Sequence, residues 1–222
     1  MKLDLAPWQK LSTSTVSDAL DRLRIAGQCL GLKPLRRDFR ILGQAFTVSY
    51  LPVGSGGGSV GDFVDDVPPG EVVVIDNAGR LDATVWGDLM TIVAHQRGLG
   101  GTAINGVCRD TPRSLELNYP IFTRGYTMRT GKDRVHLAAM QVPVSVGEVR
   151  IEPGDLLLGD ADGLLAIPSG RAAEVLAAAC EIEAAEAGIR AAILAGGRLD
   201  EARRTAGYHK LQAAQVRRTP KD

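Results

Sequence analysis

The chain has 222 residues, of which 45% are hydrophobic, and its formal net charge at pH 7 is zero. This length suits one domain, and the zero charge with only short basic clusters argues against nucleic acid or an anionic membrane as a partner. The three cysteines lie far apart and form no CxxC pair, which argues against a disulfide framework. We find no signal sequence and no apolar run of membrane-spanning length, so we expect a cytoplasmic protein.

The hydrophobic pattern predicts a mixed α/β fold with helices at both ends. In chain order we predict a helix over 11–24, strands over 41–53 and 71–77, a helix over 87–98, a strand over 101–107, a short helix over 111–118, a strand over 119–127, several strands within 142–168, a long helix over 171–195 and a further helix from about residue 200. The tail 215–222 is expected to fray.

The middle of the chain predicts a β-α-β unit, formed by 71–77, 87–98 and 101–107. Before this unit lies a glycine-rich segment within 54–70. It lacks the GxxxxGK[ST] pattern of a phosphate-binding loop, so we interpret it as a flexible connection.

The stretch GDLMTIVAHQRGLGGTAINGVCRD (87–110) contains the candidate site residues. Gly87 and Asp88 stand where the predicted helix begins. The first N–H groups of a helix have no partners inside it and bind anions well. Asp88 by itself is explained as a helix cap.

Arg109 and Asp110 directly follow a predicted strand, and ligands collect at the carboxyl ends of strands in α/β folds. Arginine can hold a carboxylate with two parallel hydrogen bonds, and aspartate offers a hard oxygen ligand for Mg²⁺ or Mn²⁺. The alternative is an exposed arginine beside an aspartate that caps a helix at Thr111-Pro112. Taken with Asp88, the pair predicts a site for a divalent metal and an anionic substrate.

Asp88, twenty residues and then Arg109-Asp110 form a D-x(20)-R-D pattern. The chain resembles the class II pyruvate aldolases that cleave 4-hydroxy-4-methyl-2-oxoglutarate and 4-carboxy-4-hydroxy-2-oxoadipate, and equally their RraA-like relatives, named for a regulator of RNase E activity. The segments that resemble this family, in the same order, are STSTVSDALDRL, GLKPL, ILGQAFTV, VVVIDN, GDLMTIVAHQRGLGGTAINGVCRD, PIFTRGYT and PGDLLLGDADGLLAIP.

The resemblance implies a layered β/β/α sandwich with an N-terminal helix and a C-terminal helical extension. Residues 1–170 would form the RraA-like α/β domain, and 171–222 the extension, as part of the same domain. The chains would assemble as a homotrimer or a homohexamer with the site between subunits.

The resemblance also implies residue roles. Asp110 would ligate Mg²⁺ or Mn²⁺ with water filling much of the shell, Asp88 would hold a metal-bound water, and Arg109 would bind the substrate and stabilise the enolate. The backbone N–H groups of Leu89 and Met90 would donate hydrogen bonds to the pyruvyl carboxylate. The implied substrate-binding set is Gly87, Asp88, Leu89, Met90 and Arg109.

Further acids are implied nearby. Asp18 stands in the early helix, where the aldolases often have glutamate. A glutamate from the C-terminal helix of a neighbouring subunit would approach the metal water, and Glu186 or Glu183 could supply it. Otherwise both are ordinary helix-surface acids.

Other residues carry less chemistry. Cys108 has no identifiable histidine partner, which favours a buried strand cysteine over a nucleophile. His95 lies about two turns into its helix, so a water held by acids is the better candidate base. No lysine lies in an apolar setting that would suggest a Schiff base. Arg124 or Lys132 could reach the distal carboxylate of a substrate, and the sequence does not decide between them.

Two functions remain open at this point. The first is a metal-dependent lyase that releases pyruvate from a 4-hydroxy-2-oxo diacid, with oxaloacetate decarboxylation as a side reaction. The second is an RraA-like regulator that binds and inhibits an RNase E-type ribonuclease. The C-terminal extension favours the lyase, because the regulators tend to be shorter.

Overall fold

The computed structural model describes residues 3–54, residue 60 and residues 63–208. In chain order its elements are α1 (Thr13–Arg22), β1 (Lys33–Pro34), β2 (Ile41–Pro52), β3 (Val72–Asp76), α2 (Asp88–Gln96), β4 (Gly101–Cys108), α3 (Thr111–Glu116), β5 (Ile121–Tyr126), β6 (Val135–Met140), β7 (Val144–Val146), β8 (Val149–Ile151), β9 (Leu156–Asp160), β10 (Gly163–Ile167), α4 (Ala172–Leu194) and α5 (Leu199–Thr205). Short 3-10 helices precede α1, β3 and α4, at Ala6–Lys10, Phe63–Asp66 and Ser169–Arg171.

Most of the predicted elements are present, with ends that differ by a few residues. Strand β6 was not predicted, because its sequence VHLAAM does not alternate cleanly between apolar and polar residues. It forms by pairing with the far half of β2. Most of the glycine-rich loop (55–59 and 61–62) and the C-terminal tail (209–222) lie outside the described residues.

The strands of the main sheet follow the order β1-β5-β4-β3-β2-β9-β10, with β6 also paired to β2. Strands β2, β3, β4 and β5 are parallel neighbours. Strand β2 is long enough to serve three partners: Ile41–Gln44 pairs with β9, Ala45–Ser49 with β3, and Val48–Pro52 with β6. The parallel register places the carboxyl ends of β3, β4 and β5 at one edge, which is where the candidate site lies.

The layers follow from alternating side chains in strands that are buried on both faces. In β3, Val73 and Ile75 face a core shared with α2, whereas Val72 and Val74 face a core shared with the β7–β8 hairpin and with β9 and β10. The other face of β9 and β10 packs against α1 and α4. The layered β/β/α fold is therefore confirmed, with α1 and α4 covering its outer strands.

Helix α4 packs against α1 through residues such as Ile182, and its first turn follows β10 closely. The boundary at 170/171 falls in the 3-10 helix Ser169–Arg171 and stays a prediction. In the described part of the chain, no helix combines the length and apolarity that crossing a membrane requires.

Asp160 joins the end of β9 to the start of α1. Its carboxylate accepts hydrogen bonds from the Thr13 hydroxyl at 2.6 Å and from the Thr13 N–H at 2.8 Å, one of the helix donors without a partner inside α1. Burial alone raises the pKa of Asp160, but the bonds from Thr13 and from the Asp162 N–H outweigh it and hold the pKa below its ordinary value. The ionised carboxylate therefore stabilises the fold.

We predict that Asp160→Ala lowers the free energy of unfolding by about 1–2 kcal/mol at pH 7, the usual effect of losing charged bonds at a helix start. Because the folded-state pKa is lowered, this stabilisation is complete above the unfolded pKa of about 4 and is lost as the pH falls through the folded value. Denaturant unfolding at pH 7 and near pH 3 measures both effects.

The control is Asp162→Ala, because the Asp162 carboxylate has one hydrogen-bond contact among the described residues, an exposed one of 3.5 Å with the Ser14 hydroxyl. It should change stability by less than about 0.5 kcal/mol. An Asp160→Ala effect that is equally large at both pH values would show that the charge is not what stabilises α1.

Candidate active site

Backbone pairing brings the two ends of the 87–110 stretch together. The segment that precedes α2 runs beside the end of β4, because Thr84 forms a bridge with Val107 and the Arg109 N–H donates to the Trp86 carbonyl at 3.0 Å. The start of α2 therefore lies against Arg109 and the residue that follows it.

Asp110 has φ +54° and ψ +37°, a left-handed conformation that aspartate tolerates better than most residues. It occupies the N-cap position of α3, yet its side chain makes no capping bond. Its Oδ2 instead lies 3.4 Å from the Asp88 N–H nitrogen and 3.2 Å from Arg109 Nε. The carboxylate thus faces α2 and Arg109, so the helix-cap explanation of Asp110 does not hold for its side chain.

Gly87 permits this close approach. A Cβ at this position would lie 2.9 Å from Asp110 Oδ2 and 3.4 Å from Arg109 Nε. Gly87 is also the N-cap of α2, so Asp88 is the first helical residue and not the cap that the sequence predicts. The Asp88 carboxylate accepts a hydrogen bond from the Leu89 N–H at 2.8 Å.

The first turn of α2 presents its N–H groups to the site. The Asp88 N–H points to Asp110, the Leu89 N–H is bonded to Asp88, and the Thr91 N–H donates to the Gly87 carbonyl. No described residue accepts a hydrogen bond from the Met90 N–H. The Met90 N–H therefore has no partner within the described part of the chain, whereas the Leu89 N–H is already bonded to the Asp88 side chain.

These groups open into a pocket of about 210 Å³, which suits a small molecule. It is lined by Gly87, Asp88, Leu89, Met90 and Arg109, together with Val60, Thr84, Trp86 and Thr130. The last four were not predicted from the sequence, since they come from separate segments and form no motif. Trp86 and Thr84 are only 2% and 3% exposed, so each presents little surface to the pocket.

The donor set fits a hard divalent cation that keeps several waters. Asp88 lines the pocket, and the Asp110 carboxylate lies beside it, 3.4 Å from the Asp88 backbone nitrogen. No group of three or more His, Cys, Asp or Glu side chains suited to a metal occurs among the described residues. Mg²⁺ is commonly bound in this way, through one or two carboxylates with water and substrate completing the shell. A zinc-type site would need more protein ligands.

The other predicted acids lie elsewhere in the chain. Asp18 is on α1, which packs against α4 and the outer strands. On α4, Glu183 accepts a bond from the Thr15 hydroxyl at 3.3 Å and pairs with Arg190, and Glu186 lies 3.4 Å from Arg190. Within one chain, none of these three acids lines the pocket. Their role across a subunit boundary stays a prediction.

Other candidates also lie outside the pocket. Arg124 donates to Asn105 Oδ1 at 2.7 Å, and neither it nor Lys132 lines the pocket. Burial raises the pKa of the Cys108 thiol to about 12, which agrees with a structural cysteine and not a nucleophile. His95 is exposed on α2.

Several known proteins of similar sequence share one provisional enzyme name. The chain is 41% identical over 143 residues to Protein DlpA of Legionella pneumophila, a match that covers 63% of this chain but only 23% of that protein. It is 35% identical over 148 residues to a Halalkalibacterium halodurans protein provisionally named 4-hydroxy-4-methyl-2-oxoglutarate aldolase, covering 66% of this chain and 68% of that protein.

Solved structures share the fold. An uncharacterized protein from Pseudomonas syringae pv. tomato superposes with a TM-score of 0.83 at 42% identity, covering 90% of this chain and 96% of that one. Streptomyces coelicolor RraAS2, an unusual member of the RNase ES inhibitor RraA protein family, gives 0.78 at 27% identity, covering 84% and 96%. Residues 13–166 match the family model "RraA-like: Aldolase/RraA", a span that contains Asp88, Arg109 and Asp110. The chain is therefore a member of the RraA-like family.

Proposed function

We propose that this protein is a divalent-metal-dependent lyase that cleaves 4-hydroxy-4-methyl-2-oxoglutarate or 4-carboxy-4-hydroxy-2-oxoadipate and releases pyruvate. Oxaloacetate decarboxylation would be a side reaction. The observation that carries this proposal is that the Asp110 carboxylate lies against Arg109 and the first turn of α2, two of the elements that line one small pocket. The relative named as an aldolase supports the same class of reaction.

The substrate carboxylate would bind at the start of α2. Met90 offers an open N–H there, and the positive end of the helix dipole favours an anion. The Leu89 N–H would join once the Asp88 carboxylate releases it. This places the 2-oxo group of the substrate on the side of the pocket where Arg109 lies.

Asp110 would hold the cation, Mg²⁺ or Mn²⁺, and Asp88 would hold a water of its shell. When bound, the cation supplies Lewis acidity at the 2-oxo group. Asp110 Oδ2 lies next to two residues of the pocket lining, 3.4 Å from the Asp88 backbone nitrogen and 3.2 Å from Arg109 Nε, so a cation held there would be close to the bound substrate.

Cleavage breaks the C3–C4 bond of the substrate. The 4-hydroxyl loses its proton, C4 becomes a carbonyl, and the bonding pair moves through C3 and C2 to the 2-oxo oxygen. Arg109 would donate hydrogen bonds to that oxygen as negative charge develops, and C3 then takes a proton to give pyruvate. Asp88 would orient the water that receives the hydroxyl proton. Loss of carbon dioxide from oxaloacetate develops the same charge.

In a homotrimer or homohexamer, a neighbouring subunit would contribute further acids to the site. We propose Asp18 and either Glu186 or Glu183 for this role. All three are on helices that cover the outer strands of the sheet, so they lie on the surface of the molecule that a second subunit can reach.

The alternative function is a regulator that binds and inhibits an RNase E-type ribonuclease. The likeness to RraAS2 supports it. Because that match covers 84% of this chain, the C-terminal extension does not by itself separate the two functions. The pocket favours the lyase, since a protein that acts only by surface contact needs no converging charges.

We predict that the protein, stripped with EDTA and then given Mg²⁺ or Mn²⁺, releases pyruvate from 4-hydroxy-4-methyl-2-oxoglutarate. Arg109→Ala should lower kcat/KM by about 100-fold or more, as expected when a charge-stabilising donor is removed. Asp110→Ala should abolish the response to metal. A lactate dehydrogenase-coupled assay follows both.

Arg113→Ala is the matched control, because this arginine lies just beyond the pair, on the exposed side of α3, bonded to Glu116. Its activity should equal that of the unaltered protein. If no tested 2-oxo acid yields pyruvate while the protein inhibits an RNase E-type ribonuclease, and does so equally in Asp110→Ala, the regulator is the correct function.

We also predict that Gly87→Ala separates activity from stability. The added methyl would meet the far end of the Asp110 side chain and displace it, so kcat/KM should fall by about tenfold or more. The backbone at Gly87 is extended, so the free energy of unfolding should change by less than about 1 kcal/mol. Gly170→Ala, where a Cβ meets nothing within 4 Å, is the control and should leave kcat/KM unchanged. A Gly87→Ala protein of full activity would contradict the pocket geometry.

A further inference from the structure

We propose that Thr91, a buried residue outside the pocket, is a positioning residue that fixes the Asp110 carboxylate through the peptide unit between Gly87 and Asp88. The inference deepens the proposed function and rests on it, because this carboxylate is the one assigned to the cation. Thr91 is not among the pocket-lining residues.

Among the described residues, the carbonyl of this peptide accepts hydrogen bonds from Thr91 and from no other residue. The Thr91 hydroxyl donates to the Gly87 oxygen at 2.8 Å, and the Thr91 N–H donates to the same oxygen at 3.1 Å. Thr91 is 2% exposed, so water has little access to its hydroxyl. Two donors on one oxygen define the direction of the Gly87 carbonyl.

Trp86 determines which way the hydroxyl proton points. Its indole N–H donates to Thr91 Oγ1 at 2.9 Å, so Oγ1 accepts from Trp86 and its own proton is left for Gly87. Trp86 is 2% exposed and stacks on Tyr119, with ring centroids 6.3 Å apart and planes 4° from parallel. The chain of bonds therefore begins at a side chain that cannot easily reorient.

The opposite side of the same peptide reaches the site. A peptide unit is planar, so fixing the Gly87 carbonyl also fixes the direction of the Asp88 N–H. This N–H points at Asp110 Oδ2 over 3.4 Å. A contact of this length weakens with a small rotation, and Gly87 has no side chain to restrain the rotation. The Thr91 hydroxyl supplies that restraint.

Asp110 needs this support because it has few other restraints. Its side chain makes no capping bond to α3, and among the described residues its partners are the Asp88 N–H and Arg109 Nε. Without the contact to the Asp88 N–H, Arg109 would determine the orientation of the Asp110 carboxylate. It would then turn toward the cationic side chain and away from the position that suits a metal.

The test compares Thr91→Val, which keeps the shape and removes the hydroxyl, with Thr91→Ser, which keeps the hydroxyl. The readout is the Kd for Mn²⁺, followed by the electron paramagnetic resonance signal of the free ion. Residues that orient a metal ligand typically change affinity by ten- to a hundredfold, so we expect Kd to rise about tenfold in Thr91→Val. Thr91→Ser should stay within about twofold of the unaltered protein.

Thr47→Val is the matched control. Thr47 is fully buried in β2, and its hydroxyl donates to the Val142 carbonyl at 2.6 Å, so the same substitution removes a hydrogen bond of a buried threonine that contacts neither Gly87 nor Trp86. It should lower stability while leaving the Mn²⁺ Kd unchanged. An equal rise of Kd in Thr91→Val and Thr47→Val, or no rise in Thr91→Val, overturns the proposal.

If Thr91→Val does not fold, Trp86→Phe serves in its place, since it removes the donor that orients the hydroxyl. It should raise Kd severalfold, and an unchanged Kd overturns the proposal. Pyruvate release is measured in parallel. If Kd rises in Thr91→Val but not in the control, and the unaltered protein releases no pyruvate, the role of Thr91 is supported and the lyase function is refuted. If the unaltered protein releases pyruvate and Kd is unchanged in Thr91→Val, the lyase function is supported and the role of Thr91 is refuted. An unaltered protein that binds no Mn²⁺ overturns the inference.

Discussion

The site depends on a short piece of backbone pairing. Residues 84–86 run beside the end of β4, held by the Thr84–Val107 bridge and by the bond from the Arg109 N–H to Trp86. This pairing turns a separation of twenty residues in the sequence into direct contact between the start of α2 and Arg109-Asp110. That contact brings together the Met90 N–H, the Asp110 carboxylate and the Arg109 guanidinium.

The rest of the fold keeps this pairing rigid. Strands β3 and β4 are buried on both faces, so they cannot shift without exposing two cores at once. Long β2 ties the central strands to β9, and Asp160 at the end of β9 ties them to α1. The exposed groups of the site are thus few, while the structure that orients them extends through the whole domain.

Much of this could be predicted from the sequence, and the rest has identifiable physical reasons. Runs such as VVVID predict buried strands because every residue is apolar until the end, and the D-x(20)-R-D spacing predicted Asp88, Arg109 and Asp110 together. Strand β6 was not predicted, since it forms by pairing with β2 and its own hydrophobic pattern does not indicate a strand. The sequence also did not predict that the pocket is lined by Thr84, Trp86 and Thr130, because only tertiary pairing brings them there. The direction of the Asp110 side chain was not predicted either, because it follows from a left-handed backbone conformation that residue spacing does not indicate.

That left-handed backbone at Asp110 has a consequence for how the protein can change over time. The conformation favours glycine or asparagine, neither of which can supply a carboxylate. Under the proposed function, selection for stability and selection for chemistry therefore favour different residues at this position. In relatives that keep the fold but have another function, we expect Asp110 to be among the first site residues to be substituted. Such a substitution would indicate loss of the activity and not loss of the fold.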